Sequence, residues 1–105
     1  RYSDIALTYA EAAGPTPLAY SLVNYIRQRA GLSQLDPNLS LQDFREAVLN
    51  ERKYELAFEG NWCYDLRRWN RLQTDIQAAR EQGLTAEKMV FYPIPSMETD
   101  LNPNL

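Results

Sequence analysis

SLQDFREAVLNERKYELAFEG, residues Ser40–Gly60, decides how the rest of the chain is read. Ser40 with Asp43 three positions on is close to the capping box that opens helices, and Gly60 supplies a stop, so one helix is predicted across the stretch. Advancing about 100 degrees per residue gathers Phe44, Val48, Glu51, Glu55 and Phe58 into one narrow sector. Two carboxylates thus lie in the middle of an apolar face. Leu49 and Leu56 widen that face on the flank beside Arg52, leaving mainly Gln42, Glu46 and Lys53 for water. Such a helix is expected to be central and nearly surrounded. Its carboxylates then need partners, because a buried ionised group without one is strongly unfavourable. Arg52, Arg67 and Arg68 are the nearest cations in sequence.

Working outward, Gly14, Gly31, Gly60 and Gly83 each close a stretch of helical periodicity, which implies at least four helices. The first, RYSDIALTYAEAAG, is expected to bury Tyr2, Ile5, Ala6, Tyr9, Ala10 and Ala13 on one face. The second opens with Thr16 as cap and Pro17 at the first helical position, carries Leu18, Leu22, Tyr25 and Ile26, and ends at Gly31. A turn this short makes the two helices antiparallel. After the polar loop LSQLDPN comes the Ser40–Gly60 helix, then a fourth from about Asn61 with Trp62, Leu66 and Trp69, and a further helical segment through DIQAAREQG. The tail MVFYPIPSMETDLNPNL contains Pro93, Pro95 and Pro103 and is expected to run extended. The fold class is therefore all-α, with antiparallel helix pairs of tetratricopeptide-like length and a Pro-rich extended tail, in a single domain over residues 1–105. No second copy appears at a period of about 34 residues.

Composition narrows the chemistry. The chain has 105 residues, is 45% apolar and carries one net charge balance of -3 without a basic stripe, which argues against a nucleic-acid partner. It has no histidine, which removes histidine triads, histidine metal ligands and the commonest general base. Cys63, the one cysteine, reads as a small apolar filler. No apolar run approaches the roughly 20 residues that span a bilayer. Because Arg1 already lies inside an apolar periodic pattern, the chain reads as a piece of a longer protein.

Three chemical readings attach to the charged helix and its successor. Glu51 and Glu55, with Asp65, have the residue types of a glycosidase acid and base pair. Two carboxylates one turn apart on a crowded helix do not, however, flank a cleft that holds a sugar ring. The favoured reading is a structural ion-pair network of Glu51, Arg52, Glu55, Asp65 and Arg68 that fixes helix register. A carboxylate metal site using Glu51, Glu55, Glu59 and Asp65 lacks the histidines of the di-iron pattern, so no metal or other cofactor is expected. Trp62 and Trp69 share a stripe with Leu66 and read as core, with Arg68 or Arg71 over a ring, while Tyr64 falls on the other side of the helix. Trp62 and Tyr64 are retained as weak candidates for ligand or partner contact.

RYSDIALTYAEAAG, AYSLVNYIRQRAGL, FREAVLNERKYELAFEG, DLRRW and FYPIPSMETDLNPNL, in that order, resemble consecutive blocks of the C-terminal part of the SusD/RagB family. The resemblance implies an outer-membrane, surface-exposed lipoprotein that binds glycans or other nutrients and works with a SusC-like TonB-dependent transporter. It implies a tetratricopeptide-like helical scaffold, no catalysis, and membrane attachment only through an N-terminal lipid that this chain does not carry. Between Gly60 and Asp65 the chain reads NWCY where relatives often show His-Arg and two aromatics, so Asn61 and Trp62 depart from the family pattern. A reading from another class is a free-standing helical-repeat adaptor binding a protein segment in the groove between its helices.

Overall fold

The structure, a computed structural model, describes residues 1–77, 81 and 94–102, and among them every regular element is helical. The helices are α1 (Tyr2–Ala13), α2 (Pro17–Arg29), α3 (Leu41–Glu55), α4 (Asn61–Arg68), α5 (Leu72–Asp75) and α6 (Ser96–Leu101). The chain divides into two compact units, Arg1–Trp62 and Cys63–Leu105.

In the first unit α1 packs on both α2 and α3 around Ala6, Leu7, Ala10, Ala19, Val23, Ile26, Phe44 and Val48. The alanines bring the helix axes close, and the ring of Phe44 fills the remaining space against Tyr20, with centroids 4.8 Å apart and planes inclined by 60°. The expected caps form. Thr16 Oγ1 accepts from the Ala19 amide at 3.3 Å, and Ser40 Oγ accepts from the Asp43 amide at 3.1 Å while donating to Asp43 Oδ2 at 2.7 Å.

Pairings along the helices fix their directions. Tyr2 shares a surface groove with Leu22 and Tyr25, so α1 and α2 are antiparallel. Against α3, Gly14 lies beside Leu41 and Asp4 beside Arg52, which makes α1 and α3 antiparallel as well. Consequently α2 and α3 run parallel, and residues 30–40 must return along α2. That return is held by one stripe of α2. Arg27 Nε donates to the Ser33 carbonyl at 2.7 Å, Asn24 Oδ1 accepts from the Leu35 amide at 2.9 Å, and the Tyr20 hydroxyl accepts from the Leu39 amide at 3.3 Å. The strap therefore has its polar backbone paired by side chains at helical spacing. Gly31 starts it with φ 75°, and the Leu32 amide reaches back to the Arg27 carbonyl at 2.9 Å, which closes α2 in a Schellman turn.

Several expectations are corrected. The buried face of α1 is Ser3, Ala6, Leu7 and Ala10, whereas Tyr2, Ile5 and Tyr9 are exposed. α3 stops at Glu55 rather than continuing to Gly60, and residues 56–60 form turns. Phe58 accordingly leaves the apolar sector: it is fully exposed and adopts φ 64°, a left-handed conformation that a bulky side chain rarely takes. The fourth helix is short because Asn70, at φ 54°, closes it as glycine closes α2, with the Arg71 amide on the Leu66 carbonyl at 2.8 Å. In the tail, Ser96–Leu101 is helical rather than extended. The expected stop at Gly83, most of the helical segment expected through DIQAAREQG, and residues 89–93 and 103–105 of the tail lie outside the described residues.

Gly14 gives the sharpest test of the packing. Its φ of 71° and ψ of -162° fall where essentially only glycine is found, and an added Cβ would lie 2.9 Å from Leu41 Cδ1. Gly14→Ala is expected to lower stability by about 2–3 kcal/mol. Gly31→Ala, which adds a Cβ with no atom within 4 Å, is expected to cost only about 1 kcal/mol. Denaturant unfolding of the two variants checks the order.

Candidate functional site

The charged part of α3 sits where its wheel predicts, inside the packing. Glu51 and Arg52 are only 5% and 6% exposed. Glu51 Oε2 accepts from Arg27 Nη1 of α2 at 2.8 Å. Arg52 turns the other way, to α1, where its Nη1 lies 2.9 Å from Asp4 Oδ1 and 3.0 Å from Thr8 Oγ1. Farther up α3, Arg45 Nε donates to the Glu11 carbonyl at 3.1 Å. Asp4, Thr8 and Glu11 stand at helical spacing, so α1 presents one polar seam to the two arginines of α3.

Glu55, at the end of α3, takes the Arg29 guanidinium and also lies 3.4 Å from Arg1, whose other nitrogen is 2.6 Å from Glu59. Burial exerts the largest single influence on the Glu55 carboxyl and raises its pKa. The Ser3 hydroxyl bond, the Arg29 bond and the charges of Arg29 and Arg1 together outweigh burial, so its pKa is held below the ordinary carboxylate value. In the second unit Asp65 is buried and accepts from Arg68 Nε at 3.0 Å and Nη2 at 2.8 Å. The sequence signal that carboxylates lie inside is clear. The partners of Glu51 and Glu55, namely Arg27, Arg29 and Arg1, and the partner of Arg52, Asp4, come from distant positions, which no local spacing discloses.

The aromatic candidates are distributed differently from expectation. Trp62 is half-buried, with Lys53 Nζ 5.4 Å from its ring centroid, and Lys53 is also 5.5 Å from the Tyr54 ring. Trp69 is half-buried too, so neither tryptophan is enclosed core, whereas Leu66 is. Tyr64 is exposed. Cys63 is also exposed and is not a core filler, because α4 turns Asp65 and Leu66 inward instead.

A groove of about 390 Å³ opens beside the strap, where Tyr20, Asn24 and Leu35 face Pro15, Pro17 and Pro37. No acid or base lines it, and two of its polar atoms are already engaged by strap amides. Among the described residues no group of three or more histidines, cysteines or carboxylates is placed to hold a metal ion, and no helix is long and apolar enough to cross a membrane.

Comparison with known proteins adds what geometry does not carry. The sequence model of the SusD family matches residues 1–105. Two SusD-like proteins of Formosa agariphila are each 36% identical to the chain, over 117 and 123 residues. Both alignments take in the whole chain and 22% and 24% of the respective relatives, so the chain spans less than a quarter of their length. No solved structure matches it.

The ion pairs make two separable predictions. Arg27→Met strands Glu51 inside the packing and is expected to cost about 3 kcal/mol. Arg29→Met, which removes a side chain 53% exposed and leaves Glu55 with Ser3 and Arg1, is expected to cost about 1 kcal/mol or less. Equal losses on chemical denaturation would contradict the assignment. For Glu55 the pH dependence has a definite sign. With its folded pKa below the unfolded value, its stabilisation is complete above the unfolded value and is lost as pH falls through the folded one. The natural protein should therefore lose more stability than Glu55→Gln on acidification below the ordinary carboxylate range. Parallel stability curves would remove Glu55 from this account.

Proposed function

The chain belongs to the SusD family, and from that premise we propose that it is a helical support within a cell-surface protein that binds glycans or related nutrients. The family match across residues 1–105 carries this reading. In the proposal the full-length protein is held at the outer face of the outer membrane by an N-terminal lipid. It delivers its ligand to a SusC-like TonB-dependent transporter.

The role assigned to this segment is mechanical rather than catalytic. A glycosidase acid keeps its proton at neutral pH through a raised pKa, and its partner carboxylate faces it across the sugar. Glu55 has the opposite shift, and Glu51 is engaged by Arg27. Both features support carboxylates that tie helices together. Glu51, Arg52 and Glu55 then hold the first unit in register, and the Asp65–Arg68 pair has the corresponding role within the second. Trp62 and Tyr64 are the side chains proposed to reach a ligand or the transporter, since an accessible ring offers a flat apolar face beside polar groups.

Calorimetry of the full-length protein against a panel of oligosaccharides tests the reading. Saturable binding of at least one glycan without release of shorter products is expected. Glycan cleavage abolished by Glu55→Gln in a folded protein would overturn it. Trp62→Ala and Tyr64→Ala, made singly, are expected to weaken binding or transporter association by about tenfold, or roughly 1.4 kcal/mol, where the ring makes contact. Unchanged affinities for both would confine the segment to support.

A further inference from the structure

The groove beside the strap holds hydrogen-bond donors that the described residues leave unused. One wall is the turn between α1 and α2, with Pro15 and Pro17, and the other is the strap, with Leu35 and Pro37. Tyr20, Asn24 and Gln34 supply its polar groups. Asn24 Oδ1 accepts from the Leu35 amide at 2.9 Å, and the Tyr20 hydroxyl oxygen accepts from the Leu39 amide at 3.3 Å. Both oxygens are thereby engaged, whereas the Asn24 N–H groups and the Tyr20 hydroxyl proton have no acceptor among the described residues. The exposed Gln34 carboxamide has no partner among them either. The rest of the lining is saturated carbon, since the Tyr20 ring is already packed on Phe44 at 4.8 Å.

We propose that this groove is a saccharide subsite that takes an uncharged sugar ring, distinct from the contacts assigned to Trp62 and Tyr64. It rests on the family reading only in that saccharides are the molecules brought to the protein. Unused donors call for a ligand rich in acceptor oxygens, and the proline rings call for a flat C–H surface. A sugar ring carries both, with hydroxyls around its edge and C–H groups on its face. Its volume of about 390 Å³ falls within the range of small-ligand sites. A carboxylate or sulfate would be desolvated there without a cation in the lining, which selects against acidic sugars. A proline-rich peptide also lacks N–H groups, but such segments dock on aromatic-lined grooves, and here the ring of Tyr20 is taken by Phe44. Asn24 and Tyr20 both line the groove and hold the strap. Occupancy should therefore keep the strap closed, because opening it dismantles one wall of the site.

Amide hydrogen exchange of the full-length protein tests the proposal, with D-glucose, D-galactose and N-acetylglucosamine as probes and D-glucuronate as the charged comparator. At a probe concentration about ten times its dissociation constant, exchange of the Leu35 and Leu39 amides is expected to slow about tenfold. Glucuronate is expected to bind at least about tenfold more weakly than glucose. Asn24→Asp keeps an oxygen for the Leu35 amide but removes the donors, and Gln34→Leu removes an exposed carboxamide without touching the strap bonds. Each is expected to weaken the protection about tenfold at fixed probe concentration. If Asn24→Asp fails to fold, Gln34→Leu reads the same site from the strap. Strap exchange that no neutral probe slows, or protection that survives both substitutions, overturns the proposal. Protection by a proline-rich peptide in place of any sugar assigns the groove to a peptide and also overturns it. Glycan binding by the protein with strap exchange unchanged would refute this subsite and leave the nutrient reading standing, whereas absence of binding to any saccharide would refute both.

Discussion

Ionised side chains carried by α3 into the interior are the constraint on which the first unit depends. Glu51 and Arg52 are adjacent in sequence but point to different neighbours, so satisfying one does nothing for the other. Arg27 must arrive from α2 and Asp4 from α1, and a shift of either helix by one residue would carry the required partner about 100 degrees around its axis. Apolar contacts tolerate such shifts with modest repacking, whereas an unpartnered buried charge does not. The apolar residues supply most of the attraction between these helices, and in the proposed role the charges select the register.

The same requirement explains the parallel course of α2 and α3. Arg27 and Arg29 can follow Glu51 and Glu55 along α3 only if both helices run the same way. A short turn would reverse direction, so the chain needs a return strap, and the strap exposes backbone groups that need partners. Tyr20, Asn24 and Arg27 provide them from one face of α2. Arg27 joins the two systems, with Nε on the strap and Nη1 on Glu51. One side chain therefore couples loop placement to helix register.

How much of this was legible depends on whether the signal is local. Caps at Thr16 and Ser40, the stop at Gly31 and the inward carboxylates of α3 follow from neighbours within a turn or two, and the structure has all of them. Periodicity gives Ala6 and Ala10 of the buried face of α1 but not the exposure of Tyr2, Ile5 and Tyr9, because the helix is apolar on two sides and periodicity alone cannot rank a tyrosine stripe against an alanine and leucine stripe. Packing ranks them: small residues allow close approach, so Ala6 and Ala10 face the neighbouring helices and the tyrosines do not. The early end of α3 and the Asn70 closure of α4 were hidden for another reason. Phe58 and Asn70 take left-handed conformations without glycine, and Asn announces that only weakly. The charge partners were least legible, since pairing across the fold leaves no spacing to find.

Carboxylates arranged this way have a consequence for catalysis. Carboxylates do acid and base chemistry when one of them keeps a proton that it can give up, which requires an environment that disfavours its charge. The arrangement around Glu55 does the reverse, because Ser3, Arg29 and Arg1 favour the anion more than burial opposes it. Bringing a substrate hydroxyl or glycosidic oxygen to Glu51 Oε2 would mean displacing Arg27, whose guanidinium is also one of the three side-chain holds on the strap. Catalytic use of Glu51 would therefore compete with one of the hydrogen bonds that place the strap. The chemistry of these carboxylates and their position in the packing both favour service as fixed ties between helices.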